Sequence, residues 1–245
     1  MMIQNLSDLH QILFLDIETV SCVGDYAEMD SRLRGLWDKK AQTIRNDEGF
    51  TPEELFLKRA AIYAEFGKIV TIAVGYIRAD DDNELQLRVK AIACDSEEEI
   101  LLEFKELIEK RFDPERLRLC AHNGKEFDFP YICRRMLIHG ISPPYPLDIS
   151  GKKPWEVNHF DTLEMWKFGD KKSYTSLELL ATIFGIESSK LDIDGSMVTQ
   201  VYYETKDIAR IAKYCMQDVV VTAQLFLKMN CFQPIAADKI VILDK

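Results

Sequence analysis

No apolar run in this chain approaches the ~18 residues of a membrane-spanning helix. A membrane partner is therefore not expected. The first ten residues are polar and lack a basic stretch followed by an apolar one, so no secretory leader is read and a cytoplasmic location is expected. Paired cysteines are missing too. Cys22, Cys94, Cys120, Cys133, Cys215 and Cys231 are scattered singly, mostly inside apolar segments, which excludes a zinc ribbon and a disulfide framework. There is no internal repeat and no low-complexity tract. Basic charge is also short: 31 Lys and Arg face 41 Asp and Glu, a net charge of −10. That balance argues against a broad electrostatic grip on nucleic acid, which usually needs a basic stripe. It leaves room for an enzyme that holds a few nucleotides through metal ions. What the chain does have is 47% hydrophobic residues over 245 positions, enough for a sizeable core and against global disorder.

Gln11-Ile12-Leu13-Phe14-Leu15-Asp16-Ile17-Glu18 is a short apolar run ended by acids, and it predicts a buried strand. Helices are expected over 31–46 and 52–65, the second with Thr51 as cap, Pro52 first and acids in its first turn. Lys68–Ile77 is rich in β-branched residues and predicts a strand, with Leu85–Ala93 its partner across the charged turn Asp80-Asp81-Asp82-Asn83. Ser96–Arg111 is an amphipathic helix, Leu117–Ala121 a strand, and Phe127–His139 a helix closed by Gly140. A Pro-rich irregular stretch covers 141–157, Val157–Phe160 is a short strand, and helices follow near 161–168, 175–184 and 206–229. This order predicts an α/β fold with one central mixed sheet flanked by helices. A single domain is expected over 1–245, its core at about 11–230.

Three sets of acids stand out by context. Asp16 and Glu18 are two apart on a strand, so both point to one face. Two carboxylates ~4 Å apart at an effective dielectric of ~20 repel by roughly 4 kcal/mol, which favours a proton or a cation between them. The spacing also occurs at Asp82/Glu84 and Asp95/Glu97, in a charged turn and at a helix start, where acids need no explanation. Asn123-Gly124-Lys125-Glu126-Phe127-Asp128 joins a strand to a helix, at the strand end where open α/β sheets place their sites. Tyr214 and Asp218 share a helical face with Ile211, Val221 and Leu225. Tyr26/Asp30 and Tyr203/Asp207 repeat that spacing, but only Asp218 stands at the edge of an apolar stripe, where a charge needs compensation.

Oxygen ligands from three separated elements suit Mg²⁺ or Mn²⁺. At these residues the chain resembles the DEDD superfamily of 3′–5′ exonucleases, with its ribonuclease H-like fold, and within it the proofreading exonuclease domains of family-B DNA polymerases. Leu15-Asp16-Ile17-Glu18-Thr19 matches the first motif of that family, Asn123-x3-Phe127-Asp128 the second and Tyr214-x3-Asp218 the third. The resemblance runs from about Ile12 to Lys228. Relatives with a histidine base carry it five residues before the last Asp; Lys213 stands there, so the tyrosine subclass is implied. Asp161-Thr162-Leu163 resembles a strand-end acid near such sites, and Asp161 is kept as a supporting residue or a helix cap. Ser176-Leu177-x2-Leu180-Ala181-x2-Phe184-Gly185-Ile186 resembles a capped structural helix. His122 and His159 are expected in core or surface roles.

The resemblance implies removal of nucleoside 5′-monophosphates from the 3′ end of single-stranded nucleic acid, DNA before RNA, with two divalent ions ~3.5–4 Å apart. Asp16, Glu18, Asp128 and Asp218 would be the ligands, Asp16 bridging both ions. Tyr214, whose unperturbed pKa is ~10, would orient water and not act as the base. Thr19 and Asn123 would position the terminal sugar or base, with Phe127 packed beneath. Lys125, Lys171 and Lys172 would form a local basic patch. A polymerase domain does not fit in 245 residues, so a free-standing nuclease is expected. The alternatives are an exoribonuclease of the same chemistry and a catalytically silent binding module.

Overall fold

The computed structural model describes residues 6–79, 84–170, 174–187 and 193–243. Its centre is a six-stranded mixed sheet. Strand β1 (Ile12–Ser21) pairs antiparallel with β2 (Gly67–Ala79), and β2 pairs antiparallel with β3 (Leu85–Ala93). On its other edge β1 pairs parallel with β4 (Arg118–Ala121), which pairs parallel with β5 (Phe160–Asp161). A sixth strand, β6 (Ile240–Ile242), lies parallel to β3 at the far edge, giving the order β5-β4-β1-β2-β3-β6. This is the expected α/β architecture.

Alternation along β1 divides the core. Leu13, Leu15 and Ile17 face a cluster built with α3 (Glu97–Arg111) and α4 (Asp128–Ile138). Ile12 and Phe14 face the other side, where α8 (Ile208–Met229) brings Cys215, Val219, Ala223 and Phe226. Gly75 on β2 lets α8 lie close: a Cβ there would stand 2.7 Å from Val219 Cγ1. Phe14 and Phe226 meet edge to face with centroids 5.5 Å apart. Ile12, Leu13, Phe14, Leu15, Ile17 and Val20 are all buried. Each contributes roughly 1.5–3 kcal/mol, so together they outweigh a ~4 kcal/mol repulsion between two acids on the same strand.

Between β1 and β2 the chain forms α1 (Ser31–Ala41) and α2 (Pro52–Arg59), which close a small aromatic core around Trp37, Phe56 and Phe66. The Trp37 indole N–H donates to Pro52 O at 2.7 Å. Short helices α5 (Thr162–Lys167), α6 (Leu177–Ile183) and α7 (Val198–Gln200) precede α8, and α7 widens into a π-helical turn over Val201–Thr205.

Several boundaries differ from the sequence reading. The first helix stops at Ala41, and the second ends at Arg59 in a 3-10 turn, because the chain must swing into β2. Gly67 begins that strand, where a Cβ would meet the Tyr131 hydroxyl at 2.3 Å. The expected strand at 157–160 lies at Phe160–Asp161, in register with Cys120 and Ala121. Strand β6 and the turns at 198–205 were not foreseen, and the expected charged turn at 80–83 lies outside the described residues. Glu97 is more than a helix-start acid. It is buried, and accepts from Ile69 N, Arg135 Nε and Nη2, and His139 Nε2 at 2.5–2.8 Å. Arg135 also donates to Ala64 O, so this network ties α3, α4 and the start of β2 together.

Candidate active site

Asp16 and Glu18 follow Ile12 and Phe14 on the α8-facing side of β1. Glu18 is buried and Asp16 half-buried. The register with β2 shifts between Glu18 and Thr19: Glu18 pairs with Thr71 and Thr19 with Ile69, leaving Val70 as the extra residue of a bulge. The bulge thus lies in β2, beside the point where the acids of β1 emerge. Thr19 is half-buried, and its hydroxyl reaches the Tyr131 phenol.

Pairing between β1 and β4 ends at Phe14↔Cys120, so β1 runs on past its neighbour. The chain then turns at Asn123, which takes a left-handed φ of 64°, and Gly124, where a Cβ would lie 2.4 Å from that of Ala121. Asn-Gly is needed here for both reasons. The turn delivers Asp128 as the first residue of α4, 2% exposed, with Oδ1 accepting the Ile17 backbone N–H at 3.2 Å. Phe127 is half-buried and packs on Tyr131, centroids 5.3 Å apart.

Asp161 is a junction. It caps α5 by accepting from Leu163 N at 2.9 Å and Glu164 N at 3.3 Å. The same carboxylate accepts from Asn123 N at 3.0 Å and Lys125 N at 3.1 Å, so it also fixes the turn that presents Asn123 and Asp128. The two histidines nearby are structural. His122 donates from Nε2 to Thr175 O and accepts from the Thr162 hydroxyl at Nδ1, both at 2.9 Å. His159 accepts from Leu119 N and donates to Pro146 O, and burial pulls its pKa down to about 4.

On α8, Tyr214 and Asp218 are both half-buried, and the phenol donates to the Asp218 carboxylate. Cys215 lies beside them, fully buried, its Sγ 3.3 Å from both Asp16 O and Asp16 Oδ2. The sequence reading did not single out this thiol. Nor did it single out Tyr174, 66% exposed, whose ring meets that of His122 at 6.2 Å and whose phenol feels Asp128, Asp16 and Asp161. Among the described residues, Asp16, Glu18 and Cys215 form the one group whose ligand atoms lie within 4.8 Å of one another. Asp128 and Asp218 flank it outside that mutual distance.

The electrostatics are those of crowded acids. Burial, then Asp128, Glu18 and Asp218, raise the pKa of Asp16 well above the carboxylate range, against the thiol hydrogen bond that lowers it. Burial, then Asp218 and Asp128, do the same for Glu18. Asp128 is pushed up to about 7 by burial, with Asp161 adding to the rise. Asp218 rises to about 6 through burial, opposed by the Tyr214 hydrogen bond. The Tyr214 phenol is itself raised, by burial first and by Asp218 and Glu18, so it stays protonated and acts as a donor. Among the described residues no Lys or Arg forms an ion pair with any of the four acids. Hard oxygen donors at raised pKa, buried and uncompensated, fit divalent cations as ligands. Lys125, expected in a basic patch, is paired with Glu164 at 2.8 Å, and Lys171 and Lys172 lie outside the described residues.

Residues 61–238 match a family model described as a predicted 3′–5′ exonuclease related to the exonuclease domain of PolB. The chain belongs to this family. The matched span holds Asn123, Phe127, Asp128, Asp161, Tyr214 and Asp218; Asp16, Glu18 and Thr19 precede it. A DNA polymerase 1 of Pyrococcus abyssi is 28% identical over 207 residues, 73% of this chain and 26% of the polymerase. A DNA polymerase 1 of Sulfolobus acidocaldarius is 27% identical over 195 residues, 75% of this chain and 20% of the polymerase. The chain thus spans about a quarter or less of these relatives. The structure of the family B DNA polymerase from Pyrobaculum calidifontis superposes with a TM-score of 0.54 at 16% identity, covering 89% of this chain and 24% of that one. That likeness supports the ribonuclease H-like fold. No described helix is long and apolar enough to cross a membrane.

Proposed function

We propose that this member of the family is a tyrosine-subclass exonuclease that releases nucleoside 5′-monophosphates from the 3′ end of single-stranded DNA, with two divalent ions, Mg²⁺ or Mn²⁺. The observation that carries this reading is the convergence of Asp16, Glu18, Asp128 and Asp218 from β1, α4 and α8, each at raised pKa with no protein cation among them. When bound, divalent ions supply the positive charge that an in-line phosphodiester displacement develops a need for, and acidify water.

Asp16, Glu18, Asp128 and Asp218 would hold those ions. Asp128 does so while anchored to Ile17 N, and Asp218 while accepting from Tyr214, so both carboxylates are oriented before substrate arrives. Tyr214 keeps its proton and, with that O–H donated to Asp218, would orient the attacking water by accepting a hydrogen bond at the phenol oxygen, not take a proton from it. Thr19, next to Glu18 at the bulge, and Asn123, in the left-handed turn after β4, would position the terminal nucleotide, with the Phe127 ring beneath. Asp161 supports the site through the turn it holds.

The test is incubation with end-labelled single-stranded DNA and RNA, in Mg²⁺, Mn²⁺ or excess chelator. Mononucleotides should appear from the 3′ end only with metal, and faster from DNA. Undiminished digestion in chelator would return the four acids to structural status. Faster digestion of RNA would make the enzyme an exoribonuclease, and no digestion of either would make it a binding module.

A further inference from the structure

A chain with a net charge of −10 and a site built of acids must still hold a polyanion, and the lysine expected to help, Lys125, is neutralised by Glu164. Another pair of cations stands at the same end of the sheet. Lys68 on β2 pairs with Val20, two residues beyond Glu18 and so about 7 Å along the strand. Its ammonium lies 4.7 Å from the Tyr202 ring centre, 5.5 Å from that of Tyr203 and 3.2 Å from the Tyr202 hydroxyl. Lys206 places its ammonium 5.5 and 5.6 Å from the same two rings. The rings stand perpendicular, centroids 5.0 Å apart.

The rings are built in. Tyr202 is buried, the Tyr203 hydroxyl donates to Ser21 O at 2.6 Å, and both belong to the apolar cluster in which Val20 and Tyr214 also pack. The backbone is special at this point. Tyr202 and Tyr203 lie in the π-helical turn, and Lys206 takes a left-handed φ of 57°. Such turns recur at functional sites. Among the described residues neither ammonium has a carboxylate within ion-pair distance. The two acids that flank Lys206 in sequence are engaged elsewhere, Glu204 with Gln200 and Asp207 as the cap of α8.

We infer that Lys68 and Lys206, held over the faces of Tyr202 and Tyr203, are a phosphate-binding pair that grips the backbone of a single strand beside its 3′ end. The inference deepens the nuclease reading and rests on it for the substrate. Ring quadrupoles stabilise two neighbouring ammonium groups without neutralising them, so their charge stays available to an anion. Phosphodiester oxygens satisfy both, and the contact reads no base.

The test is the salt dependence of binding, measured by fluorescence anisotropy with a labelled single-stranded oligonucleotide and the full chain in chelator, where hydrolysis is suppressed. Each phosphate contact contributes ~0.7 to the slope of log affinity against log salt. Lys68→Gln and Lys206→Asn should each flatten the slope by about 0.7 and weaken binding roughly fivefold near 0.1 M salt, equally for all base sequences. Lys68→Arg should keep the wild-type slope. Arg88→Gln is the control, in a groove of about 800 Å³ that also holds Arg78 and Arg111, near the start of β1. Slopes that ignore both lysines, or that respond to Arg88→Gln alone, would overturn the inference. Thermal unfolding of each variant checks the fold, and if Lys68→Gln does not fold, the exposed Lys206 carries the test, since Asn tolerates its φ. Flattened slopes in a protein that digests neither DNA nor RNA would retire the nuclease reading and leave the pair standing. An active nuclease indifferent to both lysines would do the reverse.

Discussion

The Asp128 carboxylate accepts the backbone N–H of Ile17, the residue between the two acids of β1, at 3.2 Å. One hydrogen bond thus fixes the distance between the second motif and the first. It forms because β1 outruns β4, which leaves that edge of the strand without a partner. The bond is also too weak to keep Asp128 ionised. A hydrogen bond to a charged group is worth ~1.5–3 kcal/mol, less than the cost of burying a carboxylate among others, and its pKa rises to about 7.

Metal-free protein should therefore lose stability as pH rises. Below about pH 4 the carboxyls are protonated in both folded and unfolded chains. Between about 4 and 7 the folded state keeps protons that the unfolded state has released, at Asp128 up to about 7 and at Asp218 up to about 6. Stability from these groups is thus fully present at low pH, falls through that window and is flat above it. For Asp128 alone the loss is on the order of a few kcal/mol. Urea unfolding in chelator at pH 5.5 and 8 measures it. Asp128→Asn keeps an acceptor for Ile17 N, and should flatten the profile and stabilise the protein at pH 8 while abolishing hydrolysis. A profile that rises from 5.5 to 8 would contradict the burial argument.

Asp161→Ala should damage the fold more than the chemistry. Its carboxylate serves four backbone N–H groups, two in the cap of α5 and two in the turn at Asn123–Lys125. Losing the cap costs about 1 kcal/mol, and stranding the buried turn donors adds on the order of 1–3 kcal/mol. Denaturant midpoints with and without saturating metal report the loss. At a temperature where the variant is folded, its kcat should fall less than that of Asp128→Asn.

Cys215→Ala removes the one side-chain donor that lowers the Asp16 pKa. The thiol hydrogen bond at 3.3 Å also limits the rotation of that carboxylate. The expected result is a higher metal concentration for half-maximal activity and an acidic limb of the pH–rate profile moved to higher pH. Cys215→Ser restores a donor and should recover most of both. Equal behaviour of the Ala and Ser variants would reduce Cys215 to core packing.

Local pattern made some of this legible and long-range packing hid the rest. The apolar run Ile12–Leu15, broken by acids, and the stripe Ile211–Leu225 gave away the elements that carry Asp16, Glu18 and Asp218, the run as a strand buried on both faces and the stripe as a helix with one buried face. Asn123-Gly124 was readable as a tight turn, though the clash with Ala121 that requires Gly124 was not. Glu97 looked like an ordinary helix-start acid because its partners, Arg135 and His139, are about 40 residues away in sequence. Cys215 and Asp16 are 199 apart, Lys68 and Tyr202 134 apart, and no window of sequence joins them. Strand β6 is three residues long, too short to show a period.

Tyr214→Phe separates water orientation from metal binding. The ring stays packed near Val20 and Ile211, and all four carboxylates remain. One hydroxyl is lost, and with it the donor that lowers the Asp218 pKa. Two effects should follow. The kcat should fall by about 10- to 100-fold, at or below the lower end of what general acid–base groups contribute, because a protonated phenol only orients. The acidic limb of the pH–rate profile should move to higher pH, because Asp218 now holds its proton longer. At pH 8, above that limb, the metal concentration for half-maximal activity should be close to wild type, so the defect there belongs to the reaction step. Asp218→Asn should be more damaging at every pH, since it removes a negatively charged ligand, although its amide oxygen can still accept from the phenol. Steady-state rates on a single-stranded 3′ end, across pH and metal concentration, distinguish these outcomes. Wild-type kcat in Tyr214→Phe at saturating metal would show that the phenol contributes nothing to the reaction, and α8 would supply one carboxylate and a packed ring.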